Sequence, residues 1–200
     1  MEEKKYKLTE ESISFNGKTL YRIEAIVDFG LIKKGDKGGF IETERNLSQI
    51  DNAWVRDNAK VFGNARVYGD ARITDEARVS DNAIVCGSAW LYDKSMVYCN
   101  AVVSGNARVY GDARIYGDAC VSDNANIYGH SKVYDKAMVY DYANVSENAN
   151  VFGNAKIFDY AQVYEDASVY GHAYVCDMAN VYGSAKVYGN AFVCDEERVC

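Results

Sequence analysis

The 200-residue chain has no proline, two histidines and a shortage of positive charge, since 22 lysines and arginines against 29 acids leave a formal net charge of -7. That balance argues against a protein that coats a nucleic acid polymer, because phosphate contacts demand a basic face. No apolar run approaches the roughly 20 residues of a membrane span. The leading Met1-Glu2-Glu3-Lys4-Lys5 has no apolar stretch behind its charges, so neither an anchor nor a secretory leader is expected. The six cysteines, at positions 86, 99, 120, 176, 194 and 200, include no Cys-x-x-Cys pair. Zinc spacing is therefore absent, no metal or cofactor is expected, and reduced thiols in the cytoplasm are the expectation. What is abundant is tyrosine, 17 residues within a 48% hydrophobic composition, which excludes low-complexity disorder.

An internal repeat organises most of the chain. From Ala53 onward the hexads NAKVFG, NARVYG, DARITD, NANIYG, SAKVYG and NAFVCD place a small residue at every sixth position as far as Ala191, all alanine except Ser95 and Ser131. Two positions after each comes an aliphatic, from Val55 without a miss to Val199, which makes 25 hexads with no insertion. Side chains alternate along a strand, so the small and the aliphatic residue point one way and their neighbours the other. The remaining pair is usually Gly or Asp followed by Asn, Asp, Ser or His, residues suited to a corner. Each hexad reads as a four-residue strand and a corner. A period of six cannot keep one side of a 3.6-residue helix apolar, so the pattern predicts an all-β parallel solenoid over 51–200.

An aliphatic at one position and a small residue four later, repeated every six, resembles the hexapeptide repeat of left-handed parallel β-helices. That resemblance implies a left-handed triangular coil built from three hexads, and about eight coils in all. The leading segment, with Tyr21-Arg22-Ile23-Glu24-Ala25 and Gly38-Gly39-Phe40-Ile41, is similar to YdcK-like transferase-family proteins and related prophage-encoded proteins. Residues 1 to about 50 lie outside the hexad phase, with Leu47 and Gln49 where Ala and Val would fall. They are assigned as a small β-rich cap with a hairpin around Asn16-Gly17. Asp28-Phe29-Gly30 lacks the rest of a kinase signature, and Gly35-Asp36-Lys37-Gly38-Gly39 reads as a tight turn rather than a phosphate loop. At the far end Glu197 occupies a small inward slot.

With three hexads per coil, equivalent positions three hexads apart stack. One outward column then runs Ile84, Val102, Cys120, Met138, Lys156, Tyr174, Phe192, beside Cys86, Ser104, Ser122, Tyr140, Phe158, Cys176, Cys194. So extended an apolar face predicts self-association as a homodimer or homotrimer, with Cys176 and Cys194 as small fillers of the interface rather than a disulfide. The other two flats carry basic and aromatic columns, while the acids fall at corners. Stacked aromatics beside cations stabilise such ladders unaided. A functional version would have Arg114, Tyr116, Lys132 and Tyr134 hold a small anionic or planar ligand such as a nucleotide.

Catalysis finds less support. The resemblance implies an acyltransferase alternative, whose general-base histidine would lie in a cleft between subunits. The candidates are His130 and His172, both at corner positions and both readily explained as turn residues. They fall on different edges, so they cannot share one metal. No loop leaves the hexads to wall a pocket. The expectation is a non-catalytic, homo-oligomeric scaffold or binding protein, with phage derivation implied by the resemblance.

Overall fold

The computed structural model describes residues 4–200, so the leader reading at Met1-Glu2-Glu3 lies outside the described residues. From Trp54–Val55 (β4) to Arg198–Val199 (β28), a short strand recurs in every hexad. Each comprises one outward residue and the inward aliphatic that follows. The strands are shorter than expected because the flanking positions close a turn. The Ala59 N–H, for example, donates to the Arg56 carbonyl at 3.0 Å across the corner. Every strand pairs in parallel with the third strand after it, as in Trp54 opposite Arg72, Lys60 opposite Arg78 and Arg66 opposite Ile84. Three flats result. The first, beginning at Trp54, has nine strands; the third, beginning at Arg66, has eight; the second, beginning at Lys60, is extended by the cap to eleven.

The inward columns make one continuous core, in which nearly every alanine and aliphatic is fully shielded from water. Burying one such aliphatic contributes about 1.5–3 kcal/mol. Corners take positive φ, as at Asp57 (52°) and Gly63 (71°), which explains why Gly and Asp alternate there. The corner acids have a second role. The Asp51 carboxylate accepts the N–H of Gly69 at 2.7 Å, Asp93 that of Gly111 at 3.0 Å, and Glu165 that of Gly183 at 2.6 Å, each one coil further along. Amide ladders join the next position, with Asn64 donating to Asn82 and Asn82 to Asn100, both at 3.1 Å.

The cap is a hairpin plus one strand. Tyr6–Phe15 (β1) and Lys18–Ala25 (β2) run antiparallel through Asn16 and Gly17, whose φ values of 50° and 74° suit the tight reversal expected there. Lys37–Ile41 (β3) pairs antiparallel with β2 and parallel with Lys60–Val61 (β5), Ile41 standing opposite Val61. Leu47 bridges Val67. Ile41 and Leu47 thus begin a coil of their own, whose step to the coil above exceeds three hexads by two positions. An insertion of two preserves which side chains face inward, because strands alternate with a period of two.

Gly38 and Gly39 belong to β3, not to a turn as expected from sequence. A Cβ on Gly38 would lie 2.5 Å from Ile23 Cγ1, and one on Gly39 would lie 2.7 Å from the Ala59 carbonyl. Only a bare backbone lets β3 lie so close to the first coil. The sealed joint also holds Tyr6, whose hydroxyl donates to the Leu47 carbonyl at 2.8 Å, and Asn46, whose amide donates to Gly63 and Ala65 carbonyls at 3.0 and 2.9 Å. At the other end, Glu197 is exposed rather than enclosed.

Candidate interaction surface

The outward residues of the third flat stack as their spacing predicts: Ile84 on Val102, Cys120 on Met138, Lys156 on Tyr174 and Tyr174 on Phe192. Met138 and Phe192 are open to solvent, Phe192 at 68% of its full exposure. Beside them the rings of Tyr140 and Phe158 stack at 5.1 Å. The trailing corner of this flat adds Tyr142, Tyr160 and Met178, all exposed, with the two tyrosine rings stacked at 5.1 Å. Lys156 is the one cation within this stretch, and its ammonium lies 5.3 Å from the Tyr174 ring centre. The flat therefore opens with a charged rung, Arg66, and becomes apolar further along.

Cys176 and Cys194 correct one expectation. They are not free fillers of a surface but a disulfide between successive coils, with Cα atoms 4.7 Å apart and both residues buried. Direct stacking brings them within the Cα range of disulfide geometry. Asp177 completes a group whose donor atoms lie within 4.8 Å of one another, but bonded sulfurs have no thiolate to offer a metal. Cys86, Cys99, Cys120 and Cys200 are free, and burial pushes the Cys120 thiol above its usual range, away from nucleophilic character.

On the second flat Arg114 and Lys132 are exposed neighbours in register. Tyr116 and Tyr134 stack at 4.9 Å within 1° of parallel, inside a run that continues to Tyr98 on one side and to Phe152, Tyr170 and Tyr188 on the other. Each ring face is occupied by the next ring, so a planar molecule would meet edges and hydroxyls there. Burial first, and neighbouring phenols and carboxylates second, raise the pKa of Tyr98, Tyr116 and Tyr134. Among the described residues, no lysine or arginine beyond residue 52 has a carboxylate within 4.0 Å. The acids face the corner N–H groups instead, which leaves the cations of the flats available to an outside anion.

The histidines lie on separate edges. His130 Nδ1 is 3.6 Å from the Asp112 carboxylate one coil back, and both side chains are open to water. The backbone N–H of His172 donates to Gly189 at 2.7 Å, as any corner residue does. Two concavities lie elsewhere, at the cap. One is lined by Lys18, Glu42, Arg45, Arg66 and Tyr68, and another by Leu31, Arg56, Arg72 and Trp90. Arg66 and Tyr68 stand on the third flat, with Arg66 opposite Ile84, and the cap's position makes them border a cleft.

Three parallel flats around an alanine and valine core, each rung three hexads from the next, define a β-solenoid repeat protein. A family model described as the YdcK beta solenoid repeat matches residues 77–93, the span that supplies one strand to each flat, so the chain carries a YdcK-like β-solenoid repeat. No curated protein matches the chain. Among the described residues no helix is long and apolar enough to cross a membrane.

Proposed function

We propose that the protein is a non-catalytic scaffold that assembles with copies of itself, as a homodimer or homotrimer, through the later part of the third flat. One observation carries this reading. Met138, Tyr142, Tyr160, Met178 and Phe192, five of the eleven most exposed large apolar side chains among the described residues, cluster on that flat and its trailing corner. A stable interface buries about 800 Å² on each partner, and rungs stacked about 4.8 Å apart give such a flat the length it needs. Light scattering on Met138→Glu and Phe192→Glu tests it. The parent should run as a multiple of 22.3 kDa and the variants at the monomer mass, whereas an unchanged mass in both variants rejects the interface.

The same reading includes a small anionic ligand, such as a nucleotide, at Arg114, Tyr116, Lys132 and Tyr134, supported by the unpaired cations of that strip. Phage derivation enters through the resemblance to prophage-encoded proteins. The acyl-transfer alternative rests on the hexapeptide resemblance, with His130 or His172 as its base.

A further inference from the structure

At the joint between cap and solenoid, the structure forms a cleft of 840 Å³, within the range of small-molecule sites. Both units supply its walls: Lys18, Glu42 and Arg45 from the cap, Asn64, Arg66 and Tyr68 from the first coils. Glu42 is fully committed. It accepts two bonds from the Lys18 ammonium, at 2.9 and 2.7 Å, and a third from the Gly63 N–H at 2.7 Å. The Lys18 bond, with the Gly63 bond behind it, holds the Glu42 carboxyl below its usual range, so the one acid in the lining is already neutralised.

Arg45 and Arg66 are exposed, and among the described residues neither has a carboxylate within 4.0 Å. The nearby corner acid Asp51 turns instead to the Gly69 N–H at 2.7 Å and lies 3.6 Å from Lys5. The lining therefore carries two uncompensated guanidinium groups. Beside them stands Tyr68, 42% exposed. Its column neighbour one coil on is Cys86, so among the described residues no ring stacks on it, unlike the stacked rings of the second flat. A guanidinium presents paired donors that match phosphate oxygens, and an open aromatic face takes a sugar or a base.

We propose that this cleft binds a small organic phosphate, its phosphate between Arg45 and Arg66 and its organic part against Tyr68. Arg66 lies four rungs before Met138 in the third flat, so the site touches the apolar column only at its first residue, Ile84, and it stands on another flat from the Arg114 strip. It also gives the cap a purpose beyond covering the first coil, because the cap supplies Lys18, Glu42, Thr43, Arg45 and Ser48 to the lining.

Calorimetric titration of the full chain with adenosine monophosphate and with inorganic pyrophosphate tests the proposal. Both should bind saturably and more weakly as salt rises. Arg45→Ala and Arg66→Ala should each weaken both probes about tenfold, the magnitude of one charge-assisted contact. Tyr68→Ala should weaken adenosine monophosphate and spare pyrophosphate. Arg108→Ala, a cation of the first flat outside both proposed sites, should change neither. All four residues are exposed, and circular dichroism with light scattering checks that fold and mass persist. No saturable heat with either probe overturns the proposal, as does binding of pyrophosphate alone. An equal loss in Arg108→Ala, or unaltered binding in the Arg45→Ala, Arg66→Ala double variant, overturns it too. None of these outcomes bears on the mass measurement that tests self-association.

Discussion

Ser95 and Ser131 stand in the inward column that is otherwise alanine from Ala53 to Ala191, both wholly shielded from water. Ser131 Oγ donates to the Tyr128 carbonyl at 2.8 Å, while Ser95 Oγ meets no partner among the described residues. A buried hydroxyl left unpaired costs about 1–3 kcal/mol, whereas a satisfied one contributes about 1 kcal/mol. Ser95→Ala is therefore expected to raise stability by about 1 kcal/mol and Ser131→Ala to lower it by about as much. Denaturant midpoints at constant slope read the difference, and a destabilised Ser95→Ala would mean that its hydroxyl is bonded after all. The columns themselves were legible from the hexad phase, since small and aliphatic residues recur without a miss. The partners of the corner acids were not. Asp93 bonds a backbone N–H one full coil away, at Gly111, and nothing in the local sequence distinguishes that role from charge at a ridge. The Cys176–Cys194 disulfide was hidden differently, because correct stacking put the pair together and the reading of a reducing compartment kept them apart.

The cap is the element whose stability should follow pH most clearly. Glu42 is held below the usual carboxylate range chiefly by Lys18, and Glu11 by Arg22 and then Lys37. Folded carboxyls with depressed pKa values stabilise the cap above about pH 4.3, the unfolded value, and that contribution is lost as pH falls through the lower folded values. Lys5 acts in the alkaline range. Its ammonium donates to the Asp51 and Ala53 carbonyls at 2.6 and 2.8 Å in a buried site, and burial pushes its pKa down to about 8. Between that value and the unfolded value of about 10.4 the unfolded chain holds more protons, so cap stability rises with pH across this window. Trp54 reports the joint, packed edge-on against Tyr6 at 6.1 Å and Phe29 at 5.3 Å. In a Trp90→Phe background, the denaturation midpoint of Trp54 emission should fall below about pH 4.3 and rise from about pH 8 to 10. A Lys5→Met variant should lose only the alkaline rise; a rise that survives in it would discount Lys5. Of this element the sequence disclosed the Asn16-Gly17 reversal, whose residues carry their own geometry. It did not disclose β3, where two glycines serve a close approach to Ile23, Val55 and Ala59, partners far from them in the chain.

At the scale of the whole molecule, a residue's flat is fixed by counting hexads, which makes the surface separable from the core. Each hexad contributes the same small and aliphatic pair inward, so removing one leaves the core continuous while turning everything beyond it by one flat. Deleting residues 149–154 would carry Phe158, Tyr174 and Phe192 to the second flat and bring Gln162, Asn180 and Arg198 beneath Met138. The apolar surface would then be split between two sides of the rod. Deleting residues 149–166 removes a full coil and leaves Met138 followed by Tyr174 on the same flat. Both proteins should fold to parallel β-structure with cooperative unfolding, since stability in a solenoid is a sum over neighbouring rungs and each loses at most a coil. They should differ in mass. The full-coil deletion should remain oligomeric and the single-hexad deletion should scatter light as a monomer, although it has lost less of the chain. Unfolding of both would show that rungs are not interchangeable, and an oligomeric single-hexad deletion would show that the later third flat is not what holds the copies together.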